Sequence, residues 1–176
     1  MFRKTTTVLT IVFLCNAIVQ AAGSLRIVPI VRDKSVIVSV ELTDAYTQEV
    51  HEAIASGLKT TVTYVLELKM DVPVWVDRTM ATAVVAASDQ YDSLTRRHNL
   101  VRTVDGRVEE ARVTDDDALA RRWLIELTDL PLCQTSMLDP NHEYYVRISA
   151  RVRPPGATLL GFGNAITNQV KFTFIP

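Results

Sequence analysis

Three histidines, one cysteine beyond the N-terminal stretch and a run of three aspartates are the side chains best suited to chemistry, and none stands at a spacing that assembles a reaction centre. His51-Glu52 lacks the second histidine four residues on that a helical zinc protease uses to present two ligands from one face. No Cys-x-x-Cys and no Gly-x-Ser-x-Gly occurs, so a nucleophile–base pair of Cys133 with a histidine would have to form in three dimensions without any local signature. Asp115, Asp116 and Asp117 could hold a hard cation, but the alternating ligands, central glycine and terminal glutamate of a calcium loop are missing. Carboxylates in the first turn of a helix are favoured by its dipole, which explains the run without a ligand. The expectation is no catalytic residue, no metal ligand and no cofactor.

What remains is surface. Tyr145, Arg147, Ser149, Arg151 and Arg153 alternate with apolar residues, so one strand presents them on its outward face. Arg147, Arg151 and Arg153 could dock an acidic partner or a sugar acid, or be a solvated face paired with neighbours. Pro154 to Asn164 carries Leu159, Leu160 and Phe162 among glycines. A connection this apolar either folds back to plug the domain or contacts another protein or a membrane. These six residues are the candidate interaction surface.

The first 22 residues bear on where the chain works. Arg3 and Lys4 precede an apolar run from Val8 to Val19, and Val19-Gln20-Ala21 offers the small-residue pattern of a signal peptidase site. The run falls short of the roughly 20 residues that cross a bilayer. Residues 1–22 are therefore expected to be a signal peptide and 23–176 a single exported domain, with a retained N-terminal anchor as the alternative. Leu14 is bulky where lipoprotein processing before Cys15 wants a small residue. Cys133 is then alone and cannot form an internal disulfide, which suits a bacterial periplasm better than an extracellular eukaryotic setting. The 19 basic residues less Arg3 and Lys4 stand against 20 acidic ones, a net charge of −3. That argues against nucleic acid or an anionic membrane surface as the main target.

The elements that must position these groups are mostly strands. Leu25 to Val31, Val36 to Leu42 and Val62 to Met70 alternate with a period of two on β-branched and aromatic residues. Asp33-Lys34 suits a tight hairpin, and Asp105-Gly106 suits one joining Asn99–Val104 to Arg107–Val113. Two helices decorate this pattern. One is capped by Thr43 or Asp44, buries Tyr46, Val50 and Ile54, and stops at Gly57. The other starts at Thr114, whose hydroxyl would take the Asp117 amide, buries Leu119, Trp123 and Leu127, and ends at Pro131.

Leu138-Asp139-Pro140-Asn141-His142-Glu143-Tyr144 then enters an alternating strand, Val146 to Val152, with a last strand at Val170–Ile175 beside it. Leucine, proline and tyrosine at this spacing resemble the tyrosine corner of immunoglobulin-like and fibronectin-type sandwiches, where the phenol bonds back to the chain a few residues upstream. The expected fold is mainly β, an immunoglobulin/fibronectin-like antiparallel β-sandwich decorated with two α-helices.

Glu52-Ala53-Ile54-Ala55-Ser56-Gly57-Leu58 before a strand, then Pro73-Val74-Trp75-Val76-Asp77, Tyr91-Asp92-Ser93-Leu94-Thr95-Arg96-Arg97-His98 and the Tyr144–Val152 strand follow one another in an order with a precedent. The chain resembles an exported bacterial family known as the domain of unknown function four-three-nine-zero, with His98 standing where that pattern commonly has another tyrosine. The resemblance implies no activity and no catalytic residue. It does imply a gene neighbourhood with a membrane sensor kinase of the nitrogen-regulation type, and so a hypothesis of envelope signalling. Three functions are open: a non-catalytic periplasmic interaction module with a protein partner, possible membrane contact and no nucleic acid; a small-ligand or envelope-glycan binder using the arginine face or the mouth near Trp75; and an unrecognised hydrolase built on Cys133 or the aspartates beside a histidine.

Overall fold

Asp33 and Lys34 both sit at positive φ, 51° and 60°, and turn Leu25–Arg32 (β1) into Ser35–Leu42 (β2) as a two-residue hairpin whose twist matches its strands. The structure is a computed structural model that describes residues 25–43, 45–153 and 165–174. The expected signal segment 1–22 and the 154–164 segment, with Leu159, Leu160 and Phe162, lie outside those residues.

The first helix, Gln48–Ala55 (α1), buries Val50 and Ile54. Its cap is Thr47, not Thr43 or Asp44: the Thr47 hydroxyl accepts from the Val50 amide at 3.3 Å, three residues on, where a capping oxygen belongs. Gly57 follows at φ +82°, and a Cβ there would lie 3.4 Å from the Tyr91 carbonyl oxygen. Gly57→Ala therefore lowers stability by about 1–2 kcal/mol, the cost of a left-handed L-residue, measurable by denaturant titration. No loss would show that the chain relaxes at this corner.

Thr60–Met70 (β3), Arg78–Asp92 (β4), Arg97–Val104 (β5) and Arg107–Thr114 (β6) form one antiparallel meander, with Asp105 and Gly106 at φ 49° and 80° in its last turn. At 15 residues β4 is the longest strand. Its alanine-rich stretch carried no strand signal, because alanine has low β propensity and the strand is held instead by pairing on both sides.

The second helix differs from expectation at both ends. It spans Asp117–Ile125 (α2) and is capped by Asp116, whose carboxylate accepts from the Ala118 and Leu119 amides. Thr114 instead takes the Asp116 amide. The buried stripe is Ala120, Trp123 and Leu124, while Leu119 is half-buried. Leu127 and Pro131 belong to the next strand, Glu126–Gln134 (β7). Pro131 ends no helix: it sits in an edge strand, between two shifts of register against β2, where a missing amide is tolerated.

A short 3-10 turn, Thr135–Met137, leads to Glu143–Arg153 (β8), and Ile166–Thr173 (β9) pairs beside it. The strands make two antiparallel sheets, β1-β2-β7 and β6-β5-β4-β3-β8-β9. Val36, Val38, Val40 and Leu42 of the first face Tyr64, Leu66, Leu68, Val146 and Ile148 of the second, all buried in one core. This is the immunoglobulin-like sandwich the pattern implied, with α1 joining β2 to β3 and α2 joining β6 to β7. The β7–β8 connection crosses between sheets, and there Tyr144 accepts from the Asp139 amide at 2.8 Å and donates to the Asp139 carbonyl at 3.2 Å. The tyrosine corner is formed.

The second sheet is twice as wide as the first, and α2 covers part of the surplus. Arg102 stacks 4.1 Å over the Trp123 ring and donates to the Trp123 and Glu126 carbonyls, each at 3.3 Å. Tyr64 donates to the Leu124 carbonyl at 2.6 Å. The end of α2, where carbonyls lose their helical partners, is thus satisfied by the sheet beneath it. Among the described residues no helix is long and apolar enough to cross a membrane.

Candidate functional site

Because directly paired residues of antiparallel strands share a face, the outer surface of the wide sheet can be read row by row. Arg153, Thr61, Ser88, Val101 and Ala111 lie in one row. Arg151, Thr63, Ala86, Thr103 and Val108 lie in the next, and Ser149, Val65 and Val84 in a third. Charge is confined to the β8 flank of these rows. The other flank is small, uncharged and partly apolar, with Val65, Val84, Val108 and Val113 exposed.

The three arginines do come together on this face. Arg147 is half-buried, lies across from Glu67 and has its guanidinium 5.9 Å from the Tyr145 ring centre. Arg151 and Arg153 are exposed, opposite Thr63 and Thr61, and among the described residues no carboxylate lies within ion-pair distance of either. Beside them Glu67, Arg147, Ser149, Thr167, Asn168 and Gln169 line an open polar groove of about 480 Å³. Leu159, Leu160 and Phe162 cannot be placed against this face, since they fall outside the described residues.

At the end of β3 the chain turns through Val72–Asp77, and this loop is built to hold its tip outward. Asp77 accepts from the Val72 amide at 3.3 Å and from the Tyr145 hydroxyl at 2.6 Å. The Tyr145 bond, then the Val72 bond, hold the Asp77 carboxyl below the usual carboxylate range. Burial, aided by Asp77, pushes the Tyr145 phenol up. Val74 has φ +68°, an uncommon conformation for a β-branched residue. Val74 is fully exposed, and Trp75 and Val76 are 83 % and 81 % exposed. The sequence singles out Trp75 but not the brace, because Tyr145 is 68 residues away from Asp77.

A third constellation was not legible as a pair at all. His98 is buried, with Nδ1 at 2.9 and 3.0 Å from the two Asp89 oxygens and Nε2 at 2.9 Å from Asp117 Oδ1. Each ring nitrogen thus faces a carboxylate oxygen. Burial pushes the Asp89 carboxyl up, His98 pulls it back down, and Asp117 adds to the rise. The Tyr91 ring covers the imidazole at 4.9 Å. The hairpin could have revealed this, since a turn at 93–96 sets His98 opposite Tyr91 and diagonal to Asp89. The node fastens the start of α2 to the sheet and uses one of the three aspartates as a structural clamp.

Cys133 stands on β7 at the far end from His98, and among the described residues no hydrogen bond joins its thiol to a histidine. Burial pushes that thiol up, away from the thiolate that a nucleophile needs. Among the described residues no group of three or more His, Cys, Asp or Glu side chains is set to hold a metal ion.

The sequence pattern of one family, described as a domain of unknown function (DUF4390), matches residues 23–154. No curated protein and no solved structure matches the chain.

Proposed function

The chain belongs to the DUF4390 family, and from that premise we propose that it is a non-catalytic interaction module of the bacterial envelope, exported by residues 1–22 and working by contact with a protein. The observation that carries this reading is the outer face of the wide sheet. A row of arginines without carboxylate partners borders an uncharged strip, on a sheet whose other face is already used for the core. An exposed, contiguous, partly apolar face rimmed by charge is the surface of a protein that binds another protein. The arginines select an acidic partner, and the outer domain of a membrane sensor kinase is the class that the family resemblance brings forward.

A second reading is favoured by the groove between Glu67 and Gln169. Its hydroxyls and amides, with Arg147 at one side, could hold an acidic glycan of the envelope. Charge reversal separates both from a passive surface. Arg151→Glu combined with Arg153→Glu should leave unfolding free energy within about 0.5 kcal/mol of the original, as for other exposed positions. The same pair should abolish the discrete crosslinked adduct formed in intact cells. Unchanged crosslinking would remove the arginine face from the proposal. Loss of crosslinking only on Arg147→Ala, with binding to isolated envelope glycan lost in parallel, would favour the groove.

A further inference from the structure

The Val72–Asp77 loop has features that a protein-docking face does not require. Val74, Trp75 and Val76 are consecutive and all highly exposed, so the tip presents large apolar surface and no charged side chain. A partner's pocket would have to enclose it from every direction, whereas a bilayer does so without any matching shape. Part of the loop's backbone is satisfied from within. The Trp75 amide is bonded to the Val72 carbonyl at 3.2 Å, the Val72 amide is bonded to Asp77, and Pro73 has no amide hydrogen. Unsatisfied amides are what makes an irregular loop costly in lipid.

Each carboxylate at the base of the loop already has a partner before any lipid arrives. Lys171 reaches Asp71 at 2.6 Å and Glu143 at 3.5 Å, and the Asp77 carboxylate is engaged by Tyr145. No bare carboxylate would be carried into the headgroups. We propose that Val74-Trp75-Val76 is a membrane-interface anchor that inserts its apolar tip into the boundary of a lipid bilayer and orients the module on it. Tryptophan suits this depth, since its ring is apolar and its indole N–H bonds to the ester and phosphate region. Uncharged at Val74-Trp75-Val76, the tip takes hold by apolar contact and not by attraction to anionic lipid.

The envelope reading determines only where a bilayer is met, so vesicles test the contact independently of it.

Trp75 and Trp123 are the two tryptophans, one exposed and one buried, so emission reports the tip directly. Purified protein mixed with vesicles of phosphatidylethanolamine and phosphatidylglycerol should show blue-shifted emission and sediment with them. Vesicles of phosphatidylcholine alone should act alike, and salt should have little effect. Trp75→Ala should lose roughly tenfold or more of the partitioning, the change of at least one large apolar side chain, with Val74→Ser/Val76→Ser losing a comparable amount. Both variants should melt as the original does. No shift and no sedimentation with either vesicle would overturn the anchor and return the tip to a protein pocket. Binding that needs phosphatidylglycerol, disappears in salt and ignores Trp75→Ala would overturn it too, in favour of the arginines.

Discussion

His98→Ala should lower the unfolding free energy by about 3–5 kcal/mol, the loss expected when one member of a buried, hydrogen-bonded ionisable pair is removed and the other is left behind. Asp89 is the group left behind. It is wholly buried in β4, and both its oxygens face His98 Nδ1. Burial already pushes its carboxyl up against the pull of the imidazole. Without the ring it has either to ionise in a dry site or to take up a proton. Asp117→Asn bears on the same histidine yet should cost no more than about 1 kcal/mol, because the Asp117 side chain is 85 % exposed and water replaces it. Replacing both His98 and Asp89 by leucine should recover most of the loss, since two apolar groups leave nothing unpaired. Urea titration of the three variants decides the matter. An Asp117 effect as large as that of His98 would mean that the clamp on α2, and not the burial of Asp89, is the dominant interaction.

How far the chain could be read without coordinates depended on whether each signal was local. The β1–β2 and β5–β6 hairpins were legible because Asp33-Lys34 and Asp105-Gly106 announce their own geometry. The arginine row was legible because a period of two fixes a face, and it lies where β8 predicts. The second helix was misread past Ile125 because Leu127 continues its apolar spacing, and only the partner strand β2 reveals that the chain has already changed structure. β4 was invisible for the same reason: alanines say little by themselves, and pairing with β3 and β5 supplies what propensity lacks. His98, Asp89 and Asp117 come from two strands and a helix, so no spacing joined them. The brace of the Trp75 loop is likewise a contact between distant segments. What the sequence conceals in this protein is long-range pairing.

Tyr144 tests the corner on which the two sheets meet. Tyr144→Phe removes only an oxygen, leaving the ring in place against Phe172 at 6.2 Å. The Asp139 amide, which donates to that oxygen at 2.8 Å, then loses its partner in a part-buried setting. The expected cost is about 1–2 kcal/mol. Leu138→Ala should cost more, about 2–4 kcal/mol, because it opens a cavity where the chain enters the corner. Leu138 is buried and belongs to the common core, so neighbours from both sheets would have to close over the gap. Their separate causes give the two changes separate signatures. Loss of the bond should leave the denaturant dependence of stability unchanged, while the cavity variant should be partly rescued by a larger substitute such as Leu138→Met. If Tyr144→Phe melts with the original protein, the hydroxyl is ornamental and the crossover is held by packing alone. If Leu138→Ala is also silent, the sheets are joined by their faces, and the corner contributes nothing to holding β7 and β8 in their two different sheets.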